Sequence, residues 1–240
     1  MSNTFFQFKQ FTVQQDRCAM KVSTDACLFG AWAAEQVNRL PLTCCTVLDI
    51  GTGTGLLSLM LAQKTGALID AVELDQAAAD QARENVQASA WGDRIQVVQA
   101  DIKTYSSNTK YDLIISNPPF FERSLLSPVQ TNNQAKHSQD LTLQQLIRAA
   151  GEHLAATGHV AVLLPWSRMD YLIQTAVAEG FYLVAALLAS HSPAHPFFRS
   201  CLLFNRSAEQ EVIREEMSIK KDNRYTERFV ALLKDYYLYL

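Results

Sequence analysis

A short stretch, Ser116-Asn-Pro-Pro-Phe120, follows a strand-like apolar run at Tyr111–Ile115. Asn117 carries a side-chain carbonyl that accepts an N–H, and Pro118 offers a backbone carbonyl without a competing N–H of its own. The residue before each proline is conformationally restricted, so both acceptors are held in place before a ligand arrives. Phe120 adds an apolar ring face, on which stacking of a nucleobase contributes about 1–3 kcal/mol. The stretch can therefore grip a planar exocyclic amino group, although a simple proline turn with an aromatic anchor has the same sequence.

A glycine-rich loop, Asp49-Ile-Gly51-Thr-Gly53-Thr-Gly55, lies between a strand-like run and a helix-like run. Glycines permit unusual backbone angles and the close approach of a ligand, and the following helix supplies oriented N–H groups. The dinucleotide fingerprint needs its third glycine where Leu56 stands, so the loop disfavours NAD. Taken alone, the loop is equally consistent with a tight turn.

Two acidic residues follow the next two strands. Glu73 ends the first of them, about twenty residues beyond the loop, where an acid can bind both hydroxyls of a ribose. Asp101 follows the second and is placed to accept the exocyclic amine of an adenine. Asp75 is the rival for the ribose role, and we assign it to capping the helix that follows. Loop, ribose acid and strand-end acid in this order predict a nucleoside-containing cofactor.

The elements that must position these residues alternate between strand and helix from Thr46 to Asn205, which predicts a doubly wound α/β sheet with helices on both faces. Ahead of them, a helix over Thr24–Val37 is predicted to pack on the sheet edge, and the last helix, Thr226–Tyr237, begins at a Thr226 cap. The whole chain is predicted to be one domain, with an N-terminal helical and loop extension (1–45), a core (46–205) and a C-terminal helical extension (206–240). The predicted core strands are Thr46–Ile50, Leu68–Glu73, Ile95–Gln99, Tyr111–Ser116, His159–Leu164, Tyr182–Ala189 and Ser200–Asn205. The predicted core helices are Leu56–Lys64, Gln76–Ala88, Leu143–Leu154 and Met169–Ala178.

Composition places the chain among ordinary globular proteins. Of 240 residues, 48% are hydrophobic and 19% are charged, and no apolar run reaches transmembrane length or resembles a signal peptide. The five cysteines show no Cys-x-x-Cys spacing, so neither a disulfide nor a metal site is expected and a reducing cytoplasm is the expected compartment.

The motifs Asp49–Gly55, Glu73, Asp101 and Asn117–Phe120 together resemble those of class I S-adenosylmethionine-dependent methyltransferases that act on amino groups. From Phe8 onward, nearly the whole chain is similar to the bacterial tRNA1(Val) adenine-N6-methyltransferase family, which modifies the adenosine beside the anticodon. The similarity implies a Rossmann-like sheet of seven mostly parallel strands with the last strand antiparallel, S-adenosylmethionine as cofactor and tRNA as substrate. The further stretches that carry it are Phe11-Thr-Val, Asp16-Arg-Cys-Ala-Met-Lys21, Thr24-Asp25, Ala135-Lys-His137 and Asp222-Asn-Arg-Tyr-Thr226.

The resemblance also implies roles for individual residues. Asn117, Pro118 and Phe120 would act at the adenine N6, and the segment Lys21–Asp25, with Lys21, Thr24 and Asp25, would close over the methionine end of the cofactor. Phe120 stands where many members of the family carry tyrosine, which preserves stacking but removes a hydroxyl. The residues implied around the rest of the cofactor are Asp49, Gly51, Gly53, Gly55, Glu73, Asp101 and Asn117.

The net charge of −3 argues against a strongly electropositive protein, but acids are concentrated between Val47 and Ser116, which leaves room for a local basic surface. The aromatic residues Trp91 and Trp166 are assigned to packing. Candidate contacts to RNA are Lys136, His137, Arg199 and Arg224, with Lys220, Lys221 and Arg228 as further candidates.

Three alternatives stay open at this point. An Asn-Pro-Pro-aromatic site can also present a protein glutamine amide for N5 methylation, or the N2 amine of a guanine in rRNA. Glutamine methyltransferases usually carry a recognition domain ahead of the core, and only about forty-five residues precede Thr46 here. A non-catalytic cofactor-binding module is the third alternative, and the intact tetrad beside an intact loop argues against it.

Overall fold

The computed structural model describes residues 3–39, 46–119 and 141–240. The predicted core elements are confirmed, with ends that shift by a few residues. The strands are β1 (Phe5–Gln7), β2 (Thr12–Gln14), β3 (Thr46–Ile50), β4 (Leu68–Glu73), β5 (Ile95–Gln99), β6 (Tyr111–Ser116), β7 (Leu154–Pro165), β8 (Tyr182–Ser190), β9 (Phe197–Asn205), β10 (Ile213–Ser218), β11 (Lys220–Lys221) and β12 (Arg224–Tyr225). The helices are α1 (Thr24–Arg39), α2 (Leu56–Lys64), α3 (Gln76–Gln87), α4 (Leu143–His153), α5 (Met169–Ala178) and α6 (Glu227–Leu233), with a short 3-10 turn at Trp166–Arg168.

The central sheet has the strand order β10-β8-β9-β7-β6-β3-β4-β5. Neighbouring strands run parallel except β9, which is antiparallel to both β7 and β8. The α/β class and the antiparallel strand are therefore confirmed, but the part of the chain that the structure describes contributes eight strands to this sheet and not seven. The additional strand is β10, which pairs in parallel with β8 from Ile213 to Ser218.

Each face of the sheet carries its own hydrophobic layer, because successive strand side chains point to opposite sides. Val47, Ile69 and Leu113 pack with α1, α2 and α6, whereas Leu48 and Ile114 pack with α4 and α5. Covered on both faces, the strands are nearly continuous in apolar residues, as buried parallel strands usually are.

Helix α1 lies on the first of these faces and not at the sheet edge, where the sequence predicts it. Eleven of its sixteen residues are buried, so other elements must pack around most of the circumference of the helix. It packs closely on α2, since a Cβ at Gly30 would lie 2.7 Å from the sulfur of Met60. The first extension also contains the antiparallel pair β1–β2, so it is not helix and loop alone.

The C-terminal extension is also less helical than the sequence predicts. Residues 206–240 form the edge strand β10, the hairpin β11–β12 and the short helix α6. The charged residues of Ile213–Ser218 conceal the strand in the sequence, and solvated charges are common on edge strands because they discourage further pairing. The hairpin turns at Asp222 and Asn223, both with positive φ, as a two-residue turn of this kind requires. Thr226 caps α6 as predicted, accepting a hydrogen bond from the Phe229 N–H at 3.4 Å.

Candidate active site

Three predicted functional positions meet at the carboxyl edge of the sheet. Ile50 of β3 pairs with Val72 of β4 on one side and with Ser116 of β6 on the other. The residue that follows each of them, Gly51, Glu73 and Asn117, therefore stands at the same level on three adjacent strands. Ligands of open α/β sheets bind outside the carboxyl ends of the strands, at this kind of edge.

The glycine loop has the backbone shape that only glycine adopts easily. Gly51, Gly53 and Gly55 have φ values of 70°, 57° and 81°, in the left-handed region. A Cβ added at Gly51 or Gly53 would meet no atom within 4 Å, so the space beside the backbone is open to a ligand. Gly55 is the N-cap residue of α2, which places the N–H groups of that helix beside the loop.

Asp49 lies beneath the loop, fully buried. Its Oδ2 accepts hydrogen bonds from the hydroxyls of Thr52 and Ser58, both at 2.7 Å. Its Oδ1 is buried without a hydrogen-bond partner among the described residues. Burial raises the pKa of Asp49 to about 6, although the two hydroxyls oppose the shift. The carboxylate therefore supports the shape of the loop from inside.

Glu73 joins the end of β4 to the loop. Its Oε2 accepts the Gly53 N–H at 2.8 Å, and its Oε1 accepts the Asp75 N–H at 3.0 Å. The capping role predicted for Asp75 is confirmed, because its Oδ1 accepts the Ala78 N–H at 2.9 Å at the start of α3. The partly exposed carboxylate of Glu73 thus borders the open space beside Gly53, where a ribose would need it.

Asp101 follows β5 and begins a turn. Its Oδ1 accepts the Lys103 N–H at 2.9 Å, and its Oδ2 lies 3.3 Å from the Lys103 ammonium. The side chain is about one-third exposed, so these local contacts leave part of it open to a ligand.

Asn117 is the first residue beyond β6, and its side-chain oxygen has an unusual position. Asn117 Oδ1 is buried and has no hydrogen-bond partner among the described residues. A buried carbonyl without a partner is costly, and it marks a place where a donor from a ligand would be stabilising. Pro118 is buried and Pro119 is exposed, while Phe120 lies outside the described residues.

The N-terminal segment contacts the C-terminal half of the chain. The Arg199 Nε donates to Asp25 Oδ2 at 2.6 Å, which ties the first turn of α1 to β9. Burial would raise the pKa of Asp25, but hydrogen bonds from Ser23 and Arg199 outweigh it and hold the pKa below its usual value. Thr24 is the first residue of α1, and the Lys21 ammonium lies 3.4 Å from the Asn3 carbonyl oxygen.

Two residues of α3 that the sequence analysis does not single out connect this segment to the loop. The buried Asn85 side chain donates to the carbonyl oxygens of Thr54 and Gln14, both at 2.9 Å. Gln81, four residues earlier on the same face, donates to Asp16 at 2.6 Å and accepts the Arg17 N–H at 3.0 Å. Amides recurring at i and i+4 among buried alanines were the signal for this role, since a helix face that turns towards the core is otherwise apolar.

The candidate RNA contacts have different surroundings. Arg224 is exposed in the β11–β12 hairpin together with Lys220 and Lys221, whereas Lys136 and His137 lie outside the described residues. Arg228 belongs to an ion-pair network with Glu215 of β10 and with Glu35 of α1, whose Oε2 lies 2.7 Å away. These hydrogen bonds raise the pKa of Arg228, Glu215 contributing most, and they link α1 to the edge strand of the sheet.

The described residues show neither a metal cluster nor a membrane-spanning helix. Within the described ranges, no three His, Cys, Asp or Glu side chains are grouped so as to hold a metal ion. None of the helices in those ranges is long and apolar enough to cross a lipid bilayer.

Comparison with known proteins supports one family. The model of the methyltransferase small domain matches residues 35–171. A tRNA1(Val) (adenine(37)-N6)-methyltransferase of Klebsiella pneumoniae is 42% identical over 240 residues, covering 98% of this chain and 95% of that protein. The protein of the same name from Bacteroides fragilis is 39% identical over 244 residues, covering 99% of both chains.

Solved structures agree on the fold. A predicted O-methyltransferase from Agrobacterium tumefaciens superposes with a TM-score of 0.67 at 17% identity, covering 88% of this chain and 96% of that one. A glycopeptide N-methyltransferase in complex with S-adenosylmethionine gives a TM-score of 0.54 at 15% identity, covering 74% of this chain and 94% of that one. The chain has the class I methyltransferase fold and belongs to the family of S-adenosylmethionine-dependent tRNA1(Val) (adenine(37)-N6)-methyltransferases.

Proposed function

We propose that this protein transfers a methyl group from S-adenosylmethionine to N6 of an adenosine in the anticodon loop of tRNA, at the position and in the tRNA that its relatives' names give, A37 of tRNA1(Val). The observation that carries the proposal is the buried, unpartnered Oδ1 of Asn117 at the same sheet edge as the glycine loop. An exocyclic amino group is the donor that this acceptor lacks.

The surroundings of the loop fit the proposed cofactor. The open space at Gly51 and Gly53 would take the part of the cofactor nearest the backbone, and Glu73 would accept hydrogen bonds from its ribose hydroxyls. Asp101 would accept the adenine amine, while Asp49 would keep the loop in shape without direct contact. Lys21, Thr24 and Asp25 are proposed to close over the methionine end.

Asn117 and Pro118 are proposed to orient the nucleophile. When bound, S-adenosylmethionine supplies an electrophilic methyl group on a positively charged sulfur. The Asn117 Oδ1 and the Pro118 carbonyl would each accept one N–H of the target amine, which favours a pyramidal nitrogen with its lone pair free for attack. As the N–C bond forms and the methyl–sulfur bond breaks, the electron pair of the broken bond would stay on sulfur, which would leave as a neutral thioether. The nitrogen would gain positive charge, so both hydrogen bonds would strengthen in the transition state, and the nitrogen would then lose one proton to water. Phe120 is proposed to stack on the base once it is turned out of its loop.

Basic residues near this edge are proposed to hold the RNA backbone. The hairpin β11–β12 lies next to the loop after β8, because the Lys220 N–H donates to the His191 carbonyl at 3.0 Å. Arg224 and its neighbour Lys221 would therefore reach phosphates around the target nucleotide. Lys136, His137 and Arg199 complete the proposed contacts.

The proposal includes a monomeric enzyme that works in the cytoplasm. One chain contains both the cofactor loop and the amine acceptor, so no second copy is needed to complete the site. Buried thiols at Cys18, Cys27 and Cys201 are free, as suits a reducing compartment.

The proposal is tested by offering the protein tritiated S-adenosylmethionine with tRNA, rRNA and a protein extract in parallel, each from cells that lack the enzyme. We expect label in tRNA alone, and nucleoside mass spectrometry should identify N6-methyladenosine. Label in N2-methylguanosine or in protein glutamine would instead support one of the two alternative substrates. An Asn117→Ala protein serves as the matched control, because it should label tRNA at least about tenfold more slowly than the wild type.

A further inference from the structure

We infer that the exposed ring of Trp166, supported by Phe197 and flanked by Arg168 and Tyr171, is a stacking platform for an unpaired nucleobase next to the target adenosine. The inference rests on the proposed function, because it assumes that the anticodon loop of a tRNA reaches this edge of the sheet.

The first argument is position. Strands β6 and β7 are parallel neighbours, and Ser116 pairs with Val162. Strand β7 continues for three residues to Pro165, about 10 Å further at the usual rise of a strand. Trp166 follows immediately, so it stands above the level at which Asn117 leaves the adjacent strand. A nucleotide neighbouring a base held at Asn117 would meet this projection.

The second argument is exposure. The Trp166 side chain is 45% exposed and Tyr171 is 51% exposed, and none of the residues of the turn Trp166–Arg168 is buried. Tryptophan is highly buried on average, so half-exposed indole beside a binding edge favours a contact surface over core packing. The assignment of Trp166 to packing in the sequence analysis is therefore not supported.

The third argument is that the platform is already arranged. The rings of Trp166 and Phe197 lie 6.1 Å apart at 59°, so Phe197 braces the indole from one side and leaves its other surface to solvent. The Arg168 guanidinium lies 5.0 Å from the centre of the Tyr171 ring. Exposed aromatic rings with a planar cation on the same turn are groups that single-stranded nucleic-acid sites use, because every base offers a π-face.

The charge of the platform favours stacking over phosphate binding. Asp170 lies beside Arg168 in sequence, so this turn has no local excess of positive charge. Pro165 pairs with Arg199, which is engaged with Asp25. The occupant that fits is therefore a base, while the hairpin at Lys221 and Arg224 is the better site for the backbone.

The test measures the affinity of the full-length protein for an unmodified tRNA transcript, with Trp166→Ala, Trp166→Phe and Tyr239→Ala variants. Tyr239 is a matched control because it is an aromatic residue that is 89% exposed, and it belongs to the C-terminal residues after α6, where Asp235 pairs with Lys64 at the end of α2. We expect Trp166→Ala to raise the Kd about 5- to 150-fold, the range that corresponds to the roughly 1–3 kcal/mol lost when alanine replaces an aromatic residue that stacks on a base. Trp166→Phe should keep most of the affinity, and Tyr239→Ala should keep all of it.

A second RNA locates the stacked base. A transcript with an abasic site at one nucleotide beside the target adenosine should bind the wild-type protein more weakly than the intact transcript does. The same abasic transcript should bind Trp166→Ala no more weakly than the intact transcript does. Cofactor affinity should be the same in all variants, which separates loss of stacking from loss of folding.

Two results would overturn this inference and leave the proposed function standing. One is tight binding of tRNA by the wild type with an unchanged Kd for Trp166→Ala, and the other is an equal loss of tRNA affinity in Trp166→Ala and Trp166→Phe. The first would leave this face to some other partner, such as a protein. Absence of tRNA binding by the wild type would instead overturn the proposed function, and the inference with it.

Discussion

Replacement of Asn117 by alanine is the most direct test of the proposed chemistry. The Asn117 Oδ1 is buried and unpartnered, so the amine of the substrate would be its hydrogen-bond donor. In the ground state that donor is neutral, and a neutral hydrogen bond contributes only about 0.5–1.5 kcal/mol. In the transition state the nitrogen is becoming positive, and hydrogen bonds to charged groups contribute roughly 1.5–3 kcal/mol. The difference should appear in kcat more than in KM.

The expected magnitude follows from these energies. Since about 1.4 kcal/mol corresponds to a tenfold change in rate, loss of the stronger bond lowers kcat/KM roughly 10- to 150-fold, and kcat falls by the part that exceeds the ground-state bond. The Kd of the cofactor should change less than about threefold, because the oxygen that is removed is proposed to bind the substrate amine and is not part of the glycine loop. Asn117→Asp keeps an oxygen at the same place and should recover part of the activity.

The assay is single-turnover transfer of a labelled methyl group to tRNA, with calorimetric titration of the cofactor alongside. Ser116→Ala is the matched control, because the buried Ser116 hydroxyl donates to the Ile50 carbonyl at 2.9 Å and has only a structural role. The reasoning would be refuted if Asn117→Ala lost cofactor affinity in proportion to its activity. It would also be refuted if the alanine and aspartate variants were equally inactive, since acceptance of an N–H would then be irrelevant.

Three further predictions concern the loop and the hairpin. Burial raises the pKa of Asp49 from 3.8 to about 6, so ionisation is less favourable in the folded state than in the unfolded chain. The free energy of unfolding should therefore fall by about 3 kcal/mol as the pH rises through this window. Asp49→Asn should therefore be more stable than the wild type at pH 8 and equally stable at pH 3.5 in urea titrations, and a parallel pH dependence in the two proteins would contradict this. Gly53→Ala and Gly180→Ala both place alanine at positive φ, which costs about 1–2 kcal/mol of stability. Only Gly53→Ala should also weaken cofactor binding, about tenfold or more, because its added methyl group enters the open space beside the loop. Equal cofactor affinities would show that the open space beside the loop is not used. Lys221→Ala and Arg224→Ala should each lower the slope of log affinity for tRNA against log salt by about 1, and an unchanged slope would remove the hairpin from the interface.

The sequence predicts the core well because its signals are local. The helix after the glycine loop starts at Leu56 as expected, since Gly55 can adopt the left-handed N-cap conformation that begins it. The capping role predicted for Asp75 also rests on a local signal, an acid directly before a helix, and its contact with Ala78 confirms the cap. The parallel, doubly wound arrangement of the sheet around Asn117 also follows from the alternation of strands and helices.

The sequence predicts the periphery less well because tertiary contacts decide it. The position of α1 depends on the close approach of Gly30 to Met60, two residues that are thirty positions apart. Strand β10 is polar because it lies at an edge, and its pairing with β8 cannot be read from its own residues. The role of Asn85 requires that Thr54 and Gln14 come together, which only the folded chain shows.

The ion pair between Asp25 and Arg199 connects two predictions that the sequence treats separately. Asp25 is proposed to lie over the cofactor and Arg199 to contact RNA, yet the two side chains are 2.6 Å apart in the structure. If Arg199 served only RNA, Arg199→Met would weaken tRNA binding and leave the cofactor affinity unchanged. Because Arg199 also holds the start of α1, we expect Arg199→Met and Asp25→Asn to weaken cofactor binding by similar factors, and the double variant to lose little more than either one. Additive losses in this cycle would separate the two residues, and each would then act at its own ligand.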